Sequence, residues 1–252
     1  MKKLIILASL FGSATLFANT NEIPPFKEFK KTSLLGPEEK LWATNYYTEL
    51  RSNSPSATQK FKDRNEVPLK VGSEQVALSD KYFCYAAMEG SVALKFKNGK
   101  TVTFNYDGRG RRQLDCSIYF GGRFGSSGEV KFKVAYSKWG EGEQDRGYAL
   151  VPYRTIAVDS SHIPFGSVVY IPQARGTVIT VPGGKKFKHD GYFFAGDHGG
   201  AIKGNHIDVF TGNLKKHKFP WIRSHSSKTF KAYLVRDEDI IAGMTKIHMQ
   251  RY

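Results

Sequence analysis

Cysteine is scarce in this chain. Of 252 residues only Cys84 and Cys116 carry a thiol, which excludes a small module knotted by several disulfides and any zinc site built on repeated Cys pairs. Acidic residues are also in deficit. Twenty-three Asp and Glu face 38 Lys and Arg, a formal charge of +15, and a chain so basic is expected to meet an anionic partner unless the charge serves solubility alone. Beyond the first twenty residues no apolar run is long enough to cross a bilayer. No His-Glu-x-x-His spacing, zinc-finger spacing or aromatic RNA-binding signature occurs, and no segment repeats at a fixed period. Charged residues make up 24% and hydrophobic ones 40%, so the chain is not wholly disordered. Twenty-five Gly, ten Pro, eighteen Phe and thirteen Tyr favour a β-rich, turn-rich domain over a helical bundle.

The N-terminus reads as an export signal over residues 1–18. Met1-Lys2-Lys3 is followed by an almost wholly apolar or small run from Leu4 to Phe17, with Ala14 or Ala18 before the cut. No Cys lies near that point to carry a lipid, so a periplasmic or secreted protein without a stable membrane anchor is expected. An oxidising compartment then predicts a disulfide between Cys84 and Cys116. An exported chain rarely meets nucleic acid, and the anionic partners open to it are envelope polymers, the free carboxylates of peptidoglycan stems or outer-leaflet phosphates.

Residues 19–40 form an arm with two adjacent prolines, and 41–50 hold a first strand in Leu41 to Thr48. Residues 51–150 form a separate α+β unit. It opens on a surface loop (51–66). A helix follows from a Ser79 cap to Gly90, with Tyr82, Phe83, Ala86 and Ala87 as its apolar face, and then a hairpin turns at Lys97-Asn98-Gly99-Lys100. From 151 to 252 short strands recur between long polar connections, as in a closed barrel.

Chemistry concentrates between Asp197 and Asp208. The ten intervening residues hold three Gly, one Lys and two His. Asp208 lies between Ile207 and Val209; if these face a core, Asp208 faces away from it. A poorly solvated carboxyl near a second one keeps its proton toward neutral pH, as a general acid requires. The bland alternative is a turn cap, or a pair with Lys203.

The stretch from Ala195 to Phe210 (AGDHGGAIKGNHIDVF) resembles the signature of the three-aspartate, or 3D, domain family, related to the catalytic barrel of membrane-bound lytic transglycosylase A. Arg154 to Ile171, with Ala157-Val158-Asp159 and Ile163-Pro164-Phe165-Gly166, resembles that family's first aspartate motif, and Ala43 to Thr48 is similar to its first strand. The resemblance implies a mainly β fold, a double-psi β-barrel with an inserted α+β subdomain. It implies a lytic transglycosylase acting on peptidoglycan glycan strands, with no cofactor or metal. Asp208 then acts as acid and base, supported by Asp197. Asp159, Lys203, Gly199, Gly200 and Tyr47 are the expected binding or positioning residues, with Tyr46 and Trp42 along the groove unless they belong to the core. His198 departs from the family's usual Thr or Val and sets a titratable group beside Asp197. Hydrolysis would need a second carboxylate, for which Glu89 and Glu143 are candidates, although each reads more simply as a solvated surface residue. A zinc peptidase drawing on His189, Asp190, Asp197, His198, His206 and Asp208, and a barrel that binds the wall without cutting it, are the rival readings.

Overall fold

A computed structural model describes residues 28–143, 146–213 and 219–249. The expected export signal lies outside the described residues. Strand β1 (Leu35–Tyr46) is twelve residues long and leads into β2 (Glu49–Ser52), which runs across the boundary at 50/51 into the start of the expected surface loop. Helix α1 (Asp80–Glu89) ends at Gly90 in the left-handed conformation, as expected. Ser79 makes no side-chain cap, and the buried face is Phe83, Cys84, Ala86 and Ala87, with Tyr82 at the surface. The hairpin β3 (Ser91–Lys95) and β4 (Thr101–Arg109) continues into β5 (Val130–Val134). These form a four-stranded sheet in the order β2-β3-β4-β5, with a core of its own around Phe61, Phe83, Phe104 and Phe132. Cys84 and Cys116 are joined, tying α1 to the loop after β4.

The barrel strands after this sheet are β6 (Thr155–Ala157), β7 (Val168–Tyr170), β8 (Tyr192–Asp197), β9 (His206–Phe210) and β10 (Phe230–Val235). Together with β1 they close a six-stranded barrel in the order β1-β9-β6-β8-β7-β10. Leu41, Ala43, Ile156, Val169, Phe193, Ala195, Ile207, Val209 and Ala232 fill its interior. Because side chains alternate across a strand, Trp42, Thr44, Tyr46, His206 and Asp208 fall on the outside.

Two features fall outside the sequence reading. The arm is shorter than expected: the strand opens at Leu35, and Phe29 is buried with its N–H on Asp190 Oδ2 at 2.8 Å. That carboxylate also takes two hydrogen bonds from the fully buried Arg154, at 2.5 and 2.9 Å. Burial pushes the Asp190 carboxyl up, but the Arg154 guanidinium outweighs it and holds the group ionised. The second is helix α2 (Glu238–His248), capped by Asp237. It lays His248 against the outer face of β8, stacked on Phe194.

Candidate functional site

The barrel register assembles the site. On β9, Asp208 pairs with Ala157 of β6 on one side and with Thr44 of β1 on the other. On β8, Asp197 also pairs with Ala157, after a register shift that skips Gly196. A bulge adds one residue and so reverses the facing of those after it. Without it Asp197 would follow Phe193 and Ala195 into the core; with it, Asp197 and Asp208 flank the small Ala157 on one outer face.

The two carboxyls are held differently. Asp197 accepts the Tyr46 hydroxyl proton at 2.6 Å and the His198 N–H at 2.8 Å. Burial is the strongest influence and raises its pKa to about 6 against these donors. Tyr46 itself is pushed well above the usual phenol range, by burial first and then by Asp197, so it remains a donor. Burial raises Asp208 further, to about 7, with the Asp197 charge adding to it and a hydrogen bond from Thr44 opposing it. Asp208 Oδ1 is enclosed and has no hydrogen-bond partner among the described residues.

Of the two candidate second carboxylates, Glu143 joins this cluster instead of standing at the surface as expected, and Glu89 influences it through its charge near Tyr46. Glu143 Oε2 lies 2.8 Å from His198 Nδ1, and the Glu143 side chain is only 14% exposed. Its N–H donates to the Gly196 carbonyl at 2.8 Å. Glu89, at the end of α1, accepts from the Tyr47 N–H at 3.4 Å. Tyr47 is buried, and of the two tyrosines it is Tyr46 that touches an aspartate.

The remaining expected residues shape the surrounding loop. Asp159 accepts from the Gly204 N–H and from Ser161, and these bonds hold its carboxyl down at about 2. Lys203 is exposed and acts on Asp159; the charged groups acting on Asp197 are His198 and Glu143. At Gly199 a β-carbon would lie 2.8 Å from Ile202, so this glycine closes the turn, whereas at Gly200 it would meet open space. His189 and Asp190, from the zinc reading, are spent on structural contacts: His189 stacks on Phe193 with Nε2 on the Tyr153 carbonyl, and Asp190 holds Arg154. Among the described residues no three His, Cys, Asp or Glu side chains gather as metal ligands would.

The sequence reading gave His206 no role beyond that of a candidate zinc ligand. Its ring stacks on Trp42, centroids 3.6 Å apart and nearly parallel, with Nε2 2.9 Å from Thr44 Oγ1. The parallel pairing of β1 with β9 brings them together, a contact 164 positions apart that no local pattern marks.

Comparison with known proteins bears on this geometry. Residues 154–221 match the model of the 3D domain. This segment is a 3D domain. It contains β6 to β9 and all three expected aspartates, while Thr44 and Tyr46 lie outside it on β1. Comparison with curated proteins gives no match. Among solved structures, Escherichia coli MltA with bound chitohexaose is similar at 19% identity, over 78% of this chain and 72% of that one, with a TM-score of 0.50. A membrane-bound lytic murein transglycosylase from Agrobacterium tumefaciens is 14% identical over 81% of this chain and 76% of that one, at 0.48. What the 3D domain and its β1 partner share with the E. coli protein at this identity is the fold.

Proposed function

We propose that this protein is an exported enzyme that cuts peptidoglycan glycan strands between MurNAc and GlcNAc, as a lytic transglycosylase. The observation that carries this reading is Asp208, a carboxyl held protonated to about pH 7 on the outer barrel face beside Asp197. The chitohexaose in the E. coli structure of similar fold supports a glycan as ligand. In this reading Asp208 gives its proton to the leaving oxygen as the bond to the MurNAc anomeric carbon breaks. Asp197 stabilises the positive charge that develops. The Asp208 carboxylate then takes the proton of the same sugar's 6-hydroxyl as that oxygen closes on the anomeric carbon, which leaves a 1,6-anhydro end and consumes no water.

The reading includes a signal over residues 1–18, periplasmic or secreted localisation, a double-psi barrel over 151–252 completed by β1, and residues 51–150 as an inserted subdomain. A second reading, hydrolysis, is favoured by one observation: Glu143 sits in the Asp197 cluster and could orient a water. Mass spectrometry of borohydride-treated products from purified peptidoglycan separates the two. Unreducible ends one water lighter support the transglycosylase, and reducible ends support hydrolysis through Glu143.

A further inference from the structure

A cavity of about 490 Å³ lies between the turn after β7 and the loop that leads into β10, and none of its lining residues belongs to the aspartate cluster. Its floor is aromatic. Phe230 is buried and Trp221 half-buried, and the Trp221 ring is held edge-on by Phe193 and Phe230 and stacked on Phe219. One wall is Gln173 with Thr177, whose hydroxyl donates to the Gln173 carbonyl at 3.4 Å. The other is the exposed loop that carries Arg223 and Lys228. This loop is pinned. The Ser224 N–H donates to the Ala43 carbonyl of β1 at 3.1 Å, the Lys228 N–H donates to the His225 carbonyl at 3.0 Å, and Ser227 Oγ lies 2.8 Å from His225 Nδ1. Ser224 itself takes a φ of 54°, a left-handed conformation uncommon outside glycine. Such strain persists only where the surroundings impose it, and it clusters at binding sites.

The charge around the cavity has one sign. Arg223 and Lys228 make no ion pair among the described residues, and no Asp or Glu lines the cavity. Two cations above an aromatic floor suit an organic anion, since a bare inorganic one would leave the floor unused. We propose that this cavity binds the free carboxylate of a peptidoglycan stem peptide, with Arg223 and Lys228 on the carboxylate and Trp221 beneath the alanyl methyls. The topology brings it within reach of the cut. Phe230 pairs with Leu41 on one side of β1, and Asp208 pairs with Thr44 on the other. Two strand spacings across and three residues along β1 separate the backbones of Phe230 and Asp208 by about 14 Å. A stem of four extended residues spans about the same length, so a sugar held at Asp208 carries its peptide to the cavity.

The substrate class this names, glycan that still carries its peptides, rests on the glycan-cutting reading; carboxylate binding in the cavity does not. The test therefore reads the cavity directly. Trp221 is one of three tryptophans, and its indole N–H signal is assigned by NMR of the full chain through its loss in Trp221→Phe. The disaccharide GlcNAc-MurNAc bearing a tetrapeptide is expected to shift that signal to saturation. The same disaccharide without peptide, and inorganic phosphate at equal concentration, are expected to leave it in place. Arg223→Gln combined with Lys228→Gln, both at exposed positions, is expected to weaken the peptide-bearing sugar roughly tenfold, as loss of a charge-assisted hydrogen bond does. An equal response to the bare disaccharide or to phosphate, or an unchanged affinity in the double variant, overturns the proposal. On glycan strands the double variant is expected to lower the ratio of kcat/KM for peptide-bearing over amidase-stripped strands by a similar factor, and an unchanged ratio overturns the assigned substrate class. If the tetrapeptide sugar binds as expected but no strand is cut, the carboxylate cavity stands and the functional reading falls.

Discussion

Asp208 and Asp197 sit one on each side of Ala157, yet their surroundings separate them. Asp197 has two donors and burial raises its pKa to about 6, whereas Asp208 has the weaker support and is raised to about 7. Groups this close lose their protons as a pair, in two macroscopic steps. An acid at Asp208 stops working as pH rises through about 7, and an ionised Asp197 is lost as pH falls through about 6. A bell-shaped rate profile with its optimum between these values is expected, and activity that keeps climbing above pH 8 would contradict the assignment. The same shift has a cost in stability. The folded-state pKa of Asp208 lies above the unfolded value, so the penalty is absent at low pH, grows between about 4 and 7, and stays constant above. Asp208→Asn removes it. Its melting temperature should match the wild type near pH 4 and exceed it by a few degrees at pH 7.5; a gap independent of pH would count against a strained, protonated Asp208.

At the scale of elements, the segment before the 3D domain is laid directly on β8. A β-carbon at Gly142 would stand 2.0 Å from the Gly196 carbonyl oxygen, so only glycine allows the approach that puts Glu143 on His198. Gly142→Ala is expected to lift this segment and cut activity at least tenfold while the disulfide still forms; full activity would show that the apposition is dispensable. Much of the local structure was legible in the sequence. The α1 terminator at Gly90, the hairpin at Asn98-Gly99 and the facing of Asp208 all follow from short-range rules. What escaped was non-local or polar. The Gly196 bulge, the Trp42–His206 stack and the Glu143–His198 pair arise from strand register and loop docking, which no periodicity encodes. Helix α2 was readable in hindsight from the Asp237 cap and its acidic first turn, but its three buried residues, Ile240, Met244 and His248, make a narrow stripe that includes a histidine.

Across the whole molecule, the site needs more chain than the matched segment. Asp197 and Asp208 lie within residues 154–221, but Thr44 and Tyr46 come from β1, Glu89 from α1 and Glu143 from the link between sheet and barrel. The strong positive charge spreads beyond that site. Binding to intact sacculi is expected to weaken steadily between 50 and 500 mM salt, since exposed charges are screened over that range; salt-independent binding would mean that the basic surface is not what holds the wall.

The central claim is that Asp208 carries the proton traffic of glycan cutting. The most direct measurement compares wild type and Asp208→Asn on purified sacculi, with solubilised glycan and bound protein scored in the same samples. The account predicts that Asp208→Asn binds the wall as well as the wild type and releases no soluble glycan. Release at the wild-type rate would remove Asp208 from the mechanism, and a wild type that binds without releasing anything would mark the barrel as a wall-binding module.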